Sequence, residues 1–404
     1  MTADAIAALT DGIAALSLPQ PVGIAVSGGS DSTALLLAAR ATGAAIHALT
    51  VDHGLRPGAA EEARTVAALC GDLGCPHTIV ALTLDSGPNL QARARDARYE
   101  ALAETAQAAG IGAVCLGHTA DDVAETLMMR LARGAGIDGL ARMAAHRRDR
   151  GIDWHRPALS LTRADLRAAL RFRDTAWVDD PSNEDTDFER IAARQAIAAL
   201  GLETHSLAAS ATALSEARDS LTIHAAALAR THLREDRGDL LFDRAALARL
   251  HHSDPDPVPR LLLAGLRWIG GRPYGPRRAE RARLVSNALV GQACTLAGCR
   301  LTHAADIMRL AREAAACAPP GPTTEPWDGR WILSGPHGPG LTVGALSDDI
   351  GRTPWRDTGL PRTSLLASPA IRHGTRLIAA PLAGMPGEWQ AQTRLPFMQS
   401  LIQR

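Results

Sequence analysis

Short strand-like runs alternate with helix-forming segments through the first two hundred residues. Residues 23–27 (GIAVS) form an apolar run ending in small side chains, and 31–42 is Leu- and Ala-rich and helical. A second strand at 45–51 is followed by a polar turn at 52–58 and a helix over 59–71. A third strand at 77–82 precedes a helix over 90–109 that stops at Gly110. A fourth at 113–117 precedes a helix over 120–133 that stops at Gly134. Strands separated by helices of this length predict an α/β fold, a parallel sheet covered on both faces. Ligands of such sheets bind beyond the carboxyl ends of the strands, so the chemistry is expected just after them.

Beyond Gly151 the alternation weakens. Residues 162–173 read as a helix and 177–187 (WVDDPSNEDTD) as a polar turn. The Ala-rich stretch 188–229, interrupted near Gly201, reads as the connection to a second domain. A loop at 251–259 leads into a helical 260–290 with a Gly/Pro turn, and a Pro/Gly-rich linker covers 316–326. The remainder is short, punctuated segments, more β than α. The expected division is a catalytic domain over 1–205, a mostly helical domain over 206–318 and a small region over 319–404. At 46% hydrophobic and 21% charged residues, the composition is that of an ordinary globular protein. No apolar run reaches the 18 residues of a membrane span, and the first residues lack the basic region of a signal peptide. These features point to a cytoplasmic protein. Six cysteines without a CxxC or a zinc-type Cys/His spacing read as reduced, mostly buried thiols.

Forty-three basic residues balance forty-three acidic ones, and every basic residue is Arg. Nine Arg stand against three Asp over 141–173, and seven Arg against one Glu over 260–283. Arginine forks phosphates and stacks on bases, so both clusters are candidate RNA contacts, with a solvated helix face as the plain alternative.

The first strand runs into Ser27, Gly28, Gly29, Ser30, Asp31 and Ser32, and a helix follows at once. Two glycines let backbone N–H groups approach a ligand, and the helix start completes an anion nest. Three hydroxyls add donors. Asp31 would repel phosphates unless a cation such as Mg²⁺ sits between them. This is not a Walker A loop, because GK[ST] is absent. An Asp or Ser helix cap would explain one of these residues but not the whole set. The pattern resembles the SGGxDS signature of the PP-loop ATP pyrophosphatases, which release pyrophosphate and leave AMP on a substrate.

A second acidic motif, GHTADDVAET at 117–126, follows the fourth strand. Asp122 and Glu125 share a helix face, with Asp121 one residue earlier. They could bind a metal or a cationic substrate, and ordinary acid enrichment at a helix start is the alternative. From Gly117 to Met143 the chain resembles the tRNA(Ile)-lysidine synthases. So do VDHGLRP at 51–57, NLQARARDARY at 89–99, RPA at 156–158, and 177–194 with DPSN at 180–183. TLAGCRL (295–301) and WDGRW (327–331) extend the likeness more loosely. Val123 replaces the family's usual Gln and Ile191 its common Asn; neither change removes a group assigned to chemistry.

The resemblance implies an adenine nucleotide alpha hydrolase-like PP-loop domain, a helical second domain and a small, partly β C-terminal region. It also implies a reaction. The wobble cytidine of a tRNA(Ile) with a CAU anticodon attacks the α-phosphate of ATP through the oxygen on ring carbon 2, and pyrophosphate leaves. The ε-amine of free lysine then displaces AMP, changing the codon read from AUG to AUA. On this reading the loop residues and His53 bind ATP, and Asp31 orients Mg²⁺. Arg98 meets charge on the α-phosphate, and Asp122 and Glu125 take lysine. Arg190, Arg194, Arg277 and Arg278 contact tRNA. His118 helps position the site, and Asp180, Ser182 and Asn183 line the site or the RNA path. For His53 and His118 a packed imidazole, and for DPSN a structural turn, are the plain alternatives. Assembly into a homodimer is left open. A tRNA thiolase would need a catalytic Cys pair. An NAD or asparagine synthetase would lack the second acidic motif. A non-catalytic tRNA-binding module would tolerate loss of the acids.

Overall fold

The computed structural model describes residues 4–52, 59–82, 90–178, 189–271 and 275–402. Contacts divide the chain into two units, Met1–Arg218 and Asp219–Arg404.

The first unit begins with α1 (Ala5–Ala15), β1 (Val22–Ala25), α2 (Ser30–Ala41), β2 (Ile46–Asp52) and α3 (Ala59–Asp72). It continues through β3 (His77–Ala81), α4 (Leu90–Ala108), β4 (Ala113–Cys115), α5 (Ala120–Ala132) and α6 (Ile137–Leu140). It closes with a hairpin, β5 (His146–Asp149) and β6 (Ile152–His155), then α7 (Arg163–Phe172), α8 (Glu189–Ala199) and the start of α9 (Thr204–His232). The strand order is β3-β2-β1-β4-β6-β5. All neighbours are parallel except β5, which runs antiparallel to β6. The parallel sheet expected from the sequence is present, with boundaries within a few residues of those read. The β5–β6 hairpin has no counterpart in the sequence reading. All four side chains of His146–Asp149 are charged or imidazole, and apolar periodicity gives no signal at this sheet edge.

Both faces of the sheet are covered, as all-parallel strands require. On one side Ile6, Leu9, Leu35, Leu36, Ile24, Leu166 and Leu170 are fully or almost fully buried together. On the other, Tyr99, Leu102 and Ala106 of α4 pack on Leu49, Val114 and Trp154. β1 therefore reads as an unbroken apolar run, because neither face meets water. The chain builds β1, β2 and β3 outward in one direction and then returns to lay β4 on the free side of β1. This reversal leaves a crevice at the carboxyl ends of β1 and β4.

The second unit holds β7 (Leu233–Asp236), β8 (Asp239–Asp243), α10 (Arg244–Ser253), α11 (Pro257–Gly270), α12 (Arg278–Val290), β9 (Cys294–Leu296), β10 (Cys299–Ala304) and β11 (Ile307–Arg312). The five strands pair antiparallel in the order β7-β8-β11-β10-β9. Leu240, Phe242, Leu301, Met308 and Leu310 meet Val258, Leu261, Leu262, Leu266 and Ile269 of α11 in the core. These strands also lack a counterpart in the sequence reading; they span three to six residues each, too short for alternation to stand out. The β-rich end expected from the sequence follows: β12 (Gly321–Pro322), β13 (Trp331–Ser334), β14 (Leu341–Ala345), α13 (Arg362–Leu366), β15 (Pro369–His373), β16 (Arg376–Ala379) and β17 (Gln390–Thr393). α14 (Phe397–Ile402) then returns Phe397 to the core beside α11. A buried ion pair, Arg312 Nε to Asp328 Oδ2 at 2.7 Å, ties this end to β11.

Candidate active site

The loop after β1 closes on itself. The Ser27 N–H donates to Ser32 Oγ at 3.1 Å, Ser32 Oγ donates to the Gly29 carbonyl at 3.0 Å, and Thr33 Oγ1 donates to the Gly28 carbonyl at 3.2 Å. Gly28 has φ +88°, a conformation that glycine adopts without strain. From below, the Val178 N–H donates to the Gly28 carbonyl at 2.9 Å. The first N–H groups of α2 have no partner within the helix, so the loop and helix start face the crevice as anion donors.

The loop after β4 meets it there. A Cβ on Gly117 would lie 3.2 Å from the backbone of Asp31 and Ser32. A side chain there would have to displace main-chain atoms by a few tenths of an ångström, so glycine suits this close approach of the two loops. α5 starts immediately afterwards, and the Thr119 N–H donates to Asp122 Oδ2 at 2.9 Å, capping the helix. Asp122 and Glu125 then sit one turn apart, both buried.

Three guanidinium groups answer the three carboxylates. Arg163 Nε donates to Asp31 Oδ2 at 3.0 Å, and its Nη1 lies 3.7 Å from Glu125 Oε1. Arg190 Nη1 donates to Asp122 Oδ1 at 3.3 Å. Arg194 donates to Glu125 Oε1 at 2.9 Å. The Arg163 N–H, at the start of α7, donates to Asp121 Oδ2 at 2.7 Å. Buried charges need such compensation.

Burial pushes the Asp31 carboxyl up, against the pull of Arg163 and with a further push from Asp122. Glu125 is raised for the same first reason, against Arg194 and Arg163. Burial works against the Asp122 anion too, but His118, the Thr119 N–H, Arg190 and Arg163 together hold it below the usual range. Burial drives His118 down to about 3. Its imidazole is therefore neutral near pH 7, and the N–H and guanidinium groups are what keep Asp122 anionic there. Arg98 on α4 is partly buried, and the loss of water lowers its pKa; its charged neighbours include Arg95 and Arg190. It lies 5.7 Å from the Tyr99 ring centroid.

The structure thus brings Ser27, Gly28, Gly29, Ser30, Asp31, Ser32, Asp122, Glu125, Arg190 and Arg194 to one crevice. Arg190 and Arg194, expected on RNA, pair in this structure with the two carboxylates expected to take lysine. Arg277 and Arg278 belong to the second unit, exposed at the start of α12, where the Arg277 N–H donates to Glu280 Oε2 at 2.8 Å. His53, Asp180, Ser182 and Asn183 lie outside the described residues. Arg163 is the central residue that the sequence reading did not single out. Its signal was its place in the 141–173 arginine cluster, directly after the Thr162 cap of α7.

All six cysteines are free. Burial pushes the thiols of Cys70 and Cys317 up to about 11 and those of Cys115 and Cys299 up to about 12, so they are poor nucleophiles. No helix among the described residues is long and apolar enough to cross a membrane.

The Ser- and Gly-rich loop lies at the switch point of a parallel sheet, where such folds bind nucleotides, and residues 5–200 match the PP-loop domain family, which makes the chain a PP-loop ATP-utilising enzyme. The likeness to curated proteins is narrower. The chain is 41% identical over 390 residues to the tRNA(Ile)-lysidine synthase of Ruegeria pomeroyi, covering 93% of this chain and 91% of that one. It is 36% identical over 371 residues to the tRNA(Ile)-lysidine synthase of Rhizobium meliloti, covering 85% and 79%. The chain belongs to the tRNA(Ile)-lysidine synthase family. Among solved structures, the U34-tRNA thiolase NcsA from Methanococcus maripaludis is similar at 15% identity and a TM-score of 0.45, over 52% of this chain and 78% of that one.

Proposed function

We propose that this enzyme joins lysine to ring carbon 2 of the wobble cytidine in the CAU anticodon of tRNA(Ile), in two steps at one crevice. The observation that carries the reading is the meeting of the phosphate loop with the α5 carboxylates, bridged by Arg163. An ATP site and a site for a cation adjoin each other, as a reaction needs when it adenylates one substrate and then delivers an amine to it.

In the first step the loop N–H groups and the start of α2 hold the ATP phosphates. Arg98, with Arg95 and Arg190 among its charged neighbours, meets the charge that grows on the α-phosphate as cytidine attacks. In the second step Asp122 and Glu125 receive the lysine side chain, and Glu125, whose carboxyl burial raises, takes the ammonium's proton so that the free amine attacks ring carbon 2 as the bond to the AMP oxygen breaks. Each already holds a guanidinium, so a substrate cation enters as a replacement and leaves no carboxylate uncompensated. His118 stays neutral and helps position the site. On this reading Arg277 and Arg278 contact the tRNA, and the reaction runs in the cytoplasm.

Among the described residues no group of three or more His, Cys, Asp and Glu side chains is arranged to hold a metal ion. Asp31, with Asp122 near it, offers one or two carboxylates, a donor set that suits Mg²⁺, which fills the rest of its shell with phosphate oxygens and water. Bound there, it would neutralise charge on the phosphates.

Mass spectrometry of the anticodon fragment, after tRNA(Ile) is incubated with enzyme, ATP and lysine, tests the reading. A lysine adduct on the wobble cytidine is expected from the native chain and not from Asp31→Ala. A sulfur adduct given a sulfur donor, or no change in the tRNA, would overturn it.

A further inference from the structure

The crevice has two charged sides. Asp31, Asp122 and Glu125 stand on one. On the other, arginines gather around a single ring. The guanidinium carbons of Arg95, Arg98 and Arg147 lie 5.5, 5.7 and 4.8 Å from the Tyr99 ring centroid. Tyr99 itself is buried and meets Trp154 edge-on, with centroids 5.0 Å apart. Arg156 completes the group. It follows β6 directly and is only 6% exposed. Its N–H donates to the Ala145 carbonyl at 2.8 Å and its Nη1 to the Ala144 carbonyl at 2.7 Å, whereas its Nε is buried and makes no hydrogen bond.

The charges of this group act on one another. Burial alone would raise the Tyr99 phenol, yet Arg156, Arg95 and Arg98 bring it below its ordinary value. Burial lowers Arg156, and Arg147 and Arg95 lower it further, against the pull of Tyr99. His118 marks the boundary between the two sides. Beyond burial, Asp122 pulls its pKa up while Arg156, Arg98 and Arg95 push it down, and its buried Nδ1 makes no hydrogen bond. Guanidinium groups gathered where water is scarce repel one another, and an anion among them relieves that repulsion.

The sheet decides which anion. β1, β4 and β6 are neighbours and run parallel. The phosphate loop follows β1, the acidic motif follows β4 and Arg156 follows β6. Arg156 therefore lies two strands, roughly 10 Å, across the crevice from the phosphate loop. ATP phosphates held on that loop leave the arginine group to a second anion. When a base in RNA is the group adenylated, that anion arrives with it, because the nucleotide brings the phosphodiesters on either side of it.

We propose that Arg95 and Arg156, beside Tyr99, hold a phosphodiester flanking the wobble cytidine. The inference rests on the reading of this crevice as one that adenylates a cytidine in RNA. Arg156 is preset by its bonds to the 144 and 145 carbonyls, and Arg95 reaches the same anion from the exposed side of α4. Both donate charge-assisted hydrogen bonds without giving up a proton.

Binding of Mg·ATP and of a stem-loop RNA carrying the CAU anticodon to the full chain, at several salt concentrations, tests this. Arg95 is exposed, so its alanine variant keeps the fold. Arg95→Ala should weaken the RNA by about 10-fold, the worth of one charge-assisted hydrogen bond. It should lower the salt slope by about one phosphate contact and change Mg·ATP less than about twofold. A neutral methylphosphonate placed 5′ or 3′ of the wobble cytidine reads the same contact from the RNA side. At one of the two positions it should weaken native binding by about as much and cause no further loss with Arg95→Ala. Unchanged RNA affinity, additive losses at both positions, or Mg·ATP weakened as much as the RNA would each overturn the proposal; the last would give the arginines to the nucleotide. Binding does not depend on turnover, so the two readings fail separately. A native chain that binds the RNA through Arg95 yet never modifies it defeats the function alone. A tRNA-modifying chain whose RNA affinity is indifferent to Arg95→Ala defeats only this assignment.

Discussion

Arg194 donates to Glu125 Oε1 at 2.9 Å, and the Glu125 side chain is only 4% exposed. A buried carboxylate is already answering a cation at the place where lysine is proposed to bind. Glu125→Gln keeps the shape and removes the charge, leaving Arg194 without its counter-ion. The lysine requirement should rise by about 2–5 kcal/mol in binding terms, the usual cost of breaking such a pair. Adenylated tRNA should still form. Steady-state kinetics in lysine, alongside quantification of the adenylated intermediate, check this; loss of the intermediate itself would assign Glu125 to the nucleotide instead.

Gly117 touches the backbone of Asp31 and Ser32, with 3.2 Å available to a Cβ. Its neighbours there are main-chain atoms at a helix start, which cannot swing aside as a side chain would. Gly117→Ala should therefore push the two loops apart and destabilise the first unit by about 1–3 kcal/mol. Thermal unfolding and ATP binding should both register it; native values in both would mean that the crevice tolerates separation of the loops.

How much of this could be read from the sequence follows from the physics of each element. The sheet was legible because doubly covered parallel strands make unbroken apolar runs between helices. Ser27 to Ser32 and the pair Asp122 and Glu125 were legible because both motifs follow strands directly. The pairings were not. Arg163 lies 132 residues beyond Asp31, and Arg194 lies 69 beyond Glu125. No local periodicity relates residues at such distances, and an arginine on a carboxylate has the same one-letter code as an arginine on RNA. The short strands of 233–312 were hidden for another reason: each is too brief for alternation to compete with the Ala- and Leu-rich helices around it.

His118 supplies a pH signature. Burial lowers its pKa from the ordinary 6.5 to about 3 in the folded chain. Between those values an unfolded histidine binds a proton and the folded one does not, so its contribution to stability is complete above pH 6.5 and is lost as pH falls toward 3. Asp31 and Glu125, raised by burial, act in the opposite sense, since the folded chain binds their protons more readily. His118→Gln should make stability fall less steeply between pH 6.5 and 4 in denaturant titrations. An unchanged slope would mean that His118 is solvated enough to titrate normally.

Arg277 and Arg278 are exposed at the start of α12. Replacing both with Ala should weaken tRNA binding and flatten its salt dependence by up to about two phosphate contacts, leaving ATP affinity unchanged. A native salt slope would place the RNA contacts of the second unit elsewhere.

The central claim is that one crevice runs two separable half-reactions, adenylation before ligation. Pyrophosphate release measured in a single turnover, with tRNA(Ile) bearing CAU present and lysine omitted, tests it most directly. The account predicts release that depends on tRNA, proceeds without lysine, and leaves AMP attached to the tRNA until lysine is added. Release without tRNA, or an absolute need for lysine before any pyrophosphate appears, would contradict it.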